Sequence, residues 1–164
     1  MKKLFYAAFT YMLVGVVSGL YYREFTKLND FALGEYTQLG VVHTHLLTLG
    51  FIILLVVLAL EKLFGLSRSR LFGWFFWVYN AGIILTTAMM LWHGSLTVLG
   101  QEGNGMISGI AGLGHILLTA GMVLLFLSLR RGLVLDGVIH DPASAYAANS
   151  QAAKADANNT GAVA

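Results

Sequence analysis

Four long apolar runs, none with a charged residue in its interior, constrain this chain more than any other feature. They cover Leu4 to about Tyr22, about Leu39 to Leu60, about Leu71 to Leu99 and about Met106 to Leu129. Each reaches the roughly 20 residues a helix needs to cross the hydrocarbon core of a bilayer. In that core, backbone polar groups must be satisfied within a helix or a closed barrel. Barrel strands would be about 10 residues long and alternate in polarity, and these runs do neither. The sequence predicts an all-α polytopic membrane protein: a four-transmembrane-helix bundle in residues 1–133, then a disordered cytoplasmic tail in residues 134–164.

Composition narrows the function classes. Hydrophobic types make up 57% of the 164 residues and charged types 11%, with a mean hydropathy of +0.74. A soluble domain carries about 25% charged residues. The formal charge of +2 is small and dispersed, which excludes nucleic acid as a partner. With no cysteine there is no disulfide scaffold, thiolate metal site, iron–sulfur cluster or thiol chemistry. The spans carry no paired carboxylates, and there is no phosphate-binding glycine loop or serine triad.

Basic residues set the orientation. Lys2, Lys3, Lys62, Arg68, Arg70, Arg130 and Arg131 flank one side of the four runs, and Arg23 and Lys27 the other. Seven against two places both termini in the cytoplasm by the positive-inside rule. The first run resembles the start of a signal peptide. Its length and its Tyr21-Tyr22-Arg23 interfacial ending predict that it is retained. The tail, from His140-Asp141-Pro142 through an Ala/Asn/Ser-rich run, lacks the large apolar residues that build a core.

Four of the five histidines fall inside the spans: His43 and His45 in the second, His93 in the third, His115 in the fourth. Ionisable residues in spans are costly and usually face a bundle interior. At 1.5 Å per residue, His45 lies roughly 25 Å from Lys62, His115 roughly 22 Å from Arg130, His43 roughly 28 Å from Lys62 and His93 roughly 35 Å from Arg70. All four thus gather in the outer half of the membrane. Their helical neighbours are small or polar: Ser108, Ala111, Gly112 and Thr119 around His115; Tyr36, Gly40, Leu47 and Gly50 around His43; Gly82, Thr86, Met89, Met90 and Thr97 around His93. His43 and His45 are about 200° apart on a helix, so only one of them can serve a given site.

Diagonal helices of a bundle lie roughly 12–14 Å apart, given neighbours at about 8–10 Å. That separation suits two imidazoles with a haem iron between them. The expected site is haem b held by His115 and either His45 or His43. A second reading is a copper or other metal site from His43, His45, His93 and His115, with Met89 or Met90. A third is a cofactor-free structural or assembly subunit whose histidines bond between helices. Asn80, in the middle of a span, is expected to bond a neighbouring helix, and Gly105–Gly109 matches the small-xxx-small helix-contact pattern. Arg23, Glu24, Lys27, Asp30 and Glu35 form a mixed, solvated loop.

Several stretches carry a resemblance. They are Met1–Tyr6, the run His43-Thr44-His45-Leu46-Leu47-Thr48-Leu49-Gly50-Phe51, Glu61–Leu66 and Gly112–Leu118. Through them, residues 1–133 resemble a family of four-span bacterial membrane proteins of unknown function, which implies a multi-pass protein of the bacterial inner membrane. More distantly, His43 to Phe51 is similar to NnrS membrane proteins and to the second helix of haem-copper oxidase subunit I. Those likenesses imply haem, copper, electron transfer or handling of a diatomic gas such as NO or O2. They give His43 an axial role, where depth favours His45. The oxidase arrangement of three four-helix arcs implies, by analogy, a homotrimer and a membrane redox partner. No oxidase or reductase centre is complete in one chain, and no catalytic residue is assigned.

Overall fold

Helix ends are set by local chemistry. Ser69 is extended, and its hydroxyl accepts the Leu71 N–H at 3.3 Å, which opens the third long helix. Gly65, at φ 57°, ends the second helix in the left-handed conformation that glycine adopts without strain. In the computed structural model, which describes residues 1–32, 34–101, 103, 105–139, 146, 150 and 151, four long helices result. They are α1 (Lys2–Leu28), α2 (Leu39–Phe64), α3 (Arg70–Val98) and α4 (Gly105–Leu135). A short 3-10 turn, Leu66–Arg68, joins α2 to α3. Among the described residues all regular structure is helical.

The four helices have 27, 26, 29 and 31 residues, each long and apolar enough to cross a membrane. Aromatic side chains mark the two levels on α3. Trp74, Trp77 and Trp92 are about three-fifths exposed. Trp74 and Trp92 stand about 27 Å apart along the helix axis, close to the thickness of a hydrocarbon core. Lys3 lies 5.8 Å from the Trp77 ring centre, tying α1 to α3 at the end that carries the basic residues. That end is called the basic end below. The four helices are consistent with a multi-pass protein embedded in a lipid bilayer. Each helix covers one apolar run to within a residue, and α1, α2 and α4 extend beyond theirs; α4 continues to Leu135, and most of the predicted tail, His140 included, lies outside the described residues.

The helices form an open row. α1 packs along α2, α2 packs on α3, and α3 packs along most of α4. Among the described residues α2 meets α4 chiefly through its second half, Ile53–Phe64, while its first half packs on α1 and α3. Lipid gives helices no hydrophobic reason to associate, so close backbone approach and polar contacts decide. A Cβ on Gly82 would come within 2.7 Å of the Leu118 N, and one on Gly121 within 2.9 Å of the Tyr79 Cα. Gly114 sits against Thr86 in the same way. These three glycines bring α3 and α4 to backbone contact. The small-xxx-small pattern at Gly105–Gly109 makes no contact among the described residues: nothing lies within 4 Å of a Cβ placed on either glycine.

α2 departs from a regular helix. Residues Leu46–Ile52 form a π-helix, closed by the Ile53 N–H on the Thr48 carbonyl. Its buried positions explain why. Val42, Leu46, Gly50 and Leu54 are all buried at intervals of four. In an α-helix that spacing would drift around the cylinder; the wider π turn keeps it on one face. Gly50 within this segment leaves room for the Tyr11 ring of α1.

Replacing Gly82 or Gly121 by leucine is expected to lower stability by about 1–3 kcal/mol through overpacking of α3 on α4. Gly112→Ala, where nothing lies within 4 Å, should leave it unchanged. Thermal unfolding in detergent distinguishes the two groups.

Candidate cofactor site

His45 and His115 share one local geometry. Each lies on a helix with its Nδ1 2.9 Å from the carbonyl four residues back, Val41 for His45 and Ala111 for His115. A carbonyl can only accept, so Nδ1 carries the proton in both. In the neutral ring the lone pair then sits on Nε2, the arrangement of a histidine ready to bind a metal.

His43 and His93 are built differently. His43 faces α1, where a Cβ on Gly19 would lie 3.7 Å from its Cβ and Cγ. His93 packs on Gly103 in the α3–α4 loop. The Nδ1 of each is buried and has no hydrogen-bond partner among the described residues. Among those residues, no group of three or more His, Asp or Glu is placed to hold a metal ion. The four span histidines share a depth without forming one cluster. The Tyr36, Gly40, Leu47 and Gly50 set also divides: Gly40, Leu47 and Gly50 meet α1, whereas Tyr36 is exposed.

The faces can be followed by helical register. On α2, Gly40, His43 and Gly50 touch α1, and Leu39 touches α3 at Gly94. His45, about 200° from His43, looks away from α1. On α4, Gly114, Leu118 and Gly121 meet α3, and His115 is about 100° further round. Viewed from the end opposite the basic end, α2 and α4 descend, so successive residues turn clockwise. α3 ascends and presents, counterclockwise, its α4 face (Gly82, Thr86), then its α2 face (Gly94), then Asn80 toward α1. With that hand, the His45 side of α2 and the His115 side of α4 border the same wedge, open where α2 and α4 part. His45 is half-buried there, and His115 is exposed. Ser108, Gly112 and Thr119, expected to face other helices, are exposed as well.

Tyr11 was missed by the sequence reading. Its hydroxyl donates to Asn80 Oδ1 at 2.8 Å, and Asn80 Nδ2 donates to the Phe76 carbonyl at 2.6 Å. The expected bond from Asn80 to another helix is thus made to α1. Tyr79 donates to the Leu49 carbonyl in the π segment at 3.2 Å. Thr37 donates to the Gly94 carbonyl at 2.8 Å and ties the α1–α2 loop to the end of α3. No polar pattern along one segment could have revealed the bonds Tyr11–Asn80, Tyr79–Leu49 and Thr37–Gly94, because each joins separate segments of the chain.

Four membrane-length helices, two of them carrying a histidine whose Nδ1 is bonded to the carbonyl four residues back, give the fold of a small polytopic membrane protein. Residues 1–132 match the family model described as protein of unknown function DUF2871, and the chain belongs to that family. No curated protein matches it. No solved structure matches it either.

In 15N NMR at neutral pH, His45 and His115 are expected to show protonated Nδ1 and unprotonated Nε2. The opposite tautomer at either ring would contradict the hydrogen bonds to Val41 and Ala111. Tyr11→Phe, which leaves the Asn80 Oδ1 without its donor, should cost about 1 kcal/mol of stability in detergent unfolding.

Proposed function

We propose that the protein is an integral membrane haem b protein in which the Nε2 atoms of His45 and His115 are the axial ligands. The observation that carries the reading is the shared geometry of these two residues. Both have Nδ1 fixed on a backbone carbonyl, and helical register turns both toward the gap between α2 and α4. Imidazole is an established axial ligand for haem iron, and a hydrogen bond on the distal nitrogen orients the ring and raises its basicity. Within this reading His43 is not a ligand, since it lies against α1. Its assignment rested on the likeness of His43 to Phe51 to NnrS proteins and haem-copper oxidase subunit I. His93 has no part in the site.

A bound haem would supply a one-electron redox centre. The role that follows is electron transfer with a membrane redox partner, or sensing or handling of NO or O2. Both termini are assigned to the cytoplasm, so the site lies toward the outer face of the bacterial inner membrane. The exposed position of His115 agrees with a homo-oligomer that covers it, a trimer by analogy with the oxidase arcs. The copper reading without haem has less support, since no three His, Asp or Glu side chains come together among the described residues. Elemental analysis showing copper without iron would favour it nonetheless. Colourless, metal-free protein stable only with a partner would favour a structural subunit.

Protein purified after haem-replete expression is expected to show a Soret band and a low-spin reduced-minus-oxidised spectrum. His45→Ala and His115→Ala should each abolish the low-spin signal, and His43→Ala and His93→Ala should retain it. A wild-type protein without a Soret band, or an unchanged spectrum in H115A, overturns the assignment.

A further inference from the structure

A cavity of about 440 Å³ lies between α1, α2 and α3, and none of the span histidines lines it. Among the described residues α1 and α3 do not pack along one another. Single side-chain contacts bridge them instead: Lys3 over Trp77, Tyr11 to Asn80, and the hydroxyls of Tyr21 and Ser95 at 3.2 Å. The cavity occupies the gap this leaves, with Val42 and Leu46 of α2 in its wall. Val14, Ile84 and Leu91 also line it and are exposed, so it opens on the side that faces lipid.

Four polar side chains of the lining are buried, and three have their protons engaged. Ser18 and Thr87 donate to the Gly15 and Ile83 carbonyls of their own helices, both at 2.8 Å. Tyr11 donates to Asn80 Oδ1. Asn80, nine-tenths buried, is different. A carboxamide carries two N–H donors. One goes to the Phe76 carbonyl at 2.6 Å, and the other has no partner among the described residues. An N–H left unpaired in an apolar medium is costly. The cavity therefore favours an occupant that brings an acceptor.

Depth decides what kind of occupant that is. At 1.5 Å per residue, Asn80 lies roughly 15 Å along α3 from Arg70, and Tyr11 roughly 14 Å along α1 from Lys2. Both stand close to the middle of a hydrocarbon core about 30 Å thick. A phospholipid headgroup is charged and stays at the interface, and its acyl chain carries no acceptor at this depth. We propose that the cavity binds the ring of an isoprenoid quinone. The ring is flat and neutral, enters the core, and carries carbonyl oxygens, one of which accepts the remaining Asn80 N–H. The volume falls within the range of small-molecule sites, and the prenyl tail leaves into lipid past Ile84. A quinone is also a membrane-soluble electron carrier, the class of redox partner that the haem reading calls for. Its binding does not rest on that reading.

The test uses the full-length protein in neutral detergent. Decylubiquinone, decylbenzene and phosphatidylcholine are added separately, and unbound ligand is removed by gel filtration. Retained ligand is quantified after extraction, alongside the melting temperature. Decylubiquinone is expected to be retained and to raise the melting temperature. Decylbenzene, which has a ring and chain but no acceptor, should do neither, nor should phosphatidylcholine. Asn80→Ala should weaken retention about fivefold. Ala88→Phe, which fills the cavity and leaves the Tyr11–Asn80 bond in place, should abolish it. Val123→Phe, on the exposed face of α4, should leave it unchanged. No retention by wild type, or an equal loss in V123F, overturns the proposal. Equal retention of decylbenzene, or wild-type retention in N80A, overturns the quinone assignment in favour of an acyl-chain groove. Should N80A fail to fold, A88F decides alone, and retention equal to wild type in that variant overturns the site. The readout needs no haem, so a missing Soret band leaves this proposal standing, and lost quinone binding leaves the haem reading standing.

Discussion

Backbone contact between helices is the constraint on which the rest of this structure depends. In water, an apolar helix face is driven against another; in lipid that drive is absent, and helices stay together only where they come close enough for dense packing or a polar bond. α3 meets both conditions. It lies against α4 through Gly82, Gly114 and Gly121, against the start of α2 through Gly94, and it bonds α1 through Asn80 and α2 through Tyr79. It is also the most buried of the four, while α4 turns most of its surface outward. The open row follows: α1 and α4 sit on opposite sides of the α2–α3 pair, and the wedge between α2 and α4 exists because α3 alone joins them at that level.

The spans were legible in the sequence because length and hydropathy are properties of single segments. Lys62 and Arg70 lie within two residues of helix ends, whereas α4 runs five residues past Arg130; Asn80 announced a bond to another helix. What stayed hidden depends on pairs of segments. Nothing in Gly105–Gly109 distinguishes it from the glycines that do pack, since the choice depends on which face of α4 meets α3. The π segment was hidden for a related reason. Its signature, burial at intervals of four, appears only once α1 and α3 show which side of α2 is inside.

The histidines divide along the same line. Shared depth followed from counting residues, and the separation of His43 from His45 from the helical angle. Which of the two borders the wedge was decided by Gly19 and Gly40, small residues that admit α1 on one side of α2. The Nδ1 bonds to Val41 and Ala111 are local, four residues back on the same helix, and so could recur unchanged on two helices of opposite surroundings. His115 was expected to face inward from its small neighbours; small neighbours permit close approach but do not supply the partner.

The π segment of α2 also has a meaning for how such a chain can change. It separates the histidine-bearing first half of the helix from the half that ends at Glu61 and the α2–α3 turn. One extra residue is accommodated in Leu46–Ile52, so its loss would restore a regular helix while both halves keep the faces they present now, whereas sliding the wide turn along α2 would rotate the residues it passes by about 100°. Neither loop need lengthen, and neither end need lose its packing partners' sequence. A single-codon deletion there is therefore absorbed in place, and migration of the wide turn past His45 is the change that would swing that ring out of its wedge and bring a neighbour in.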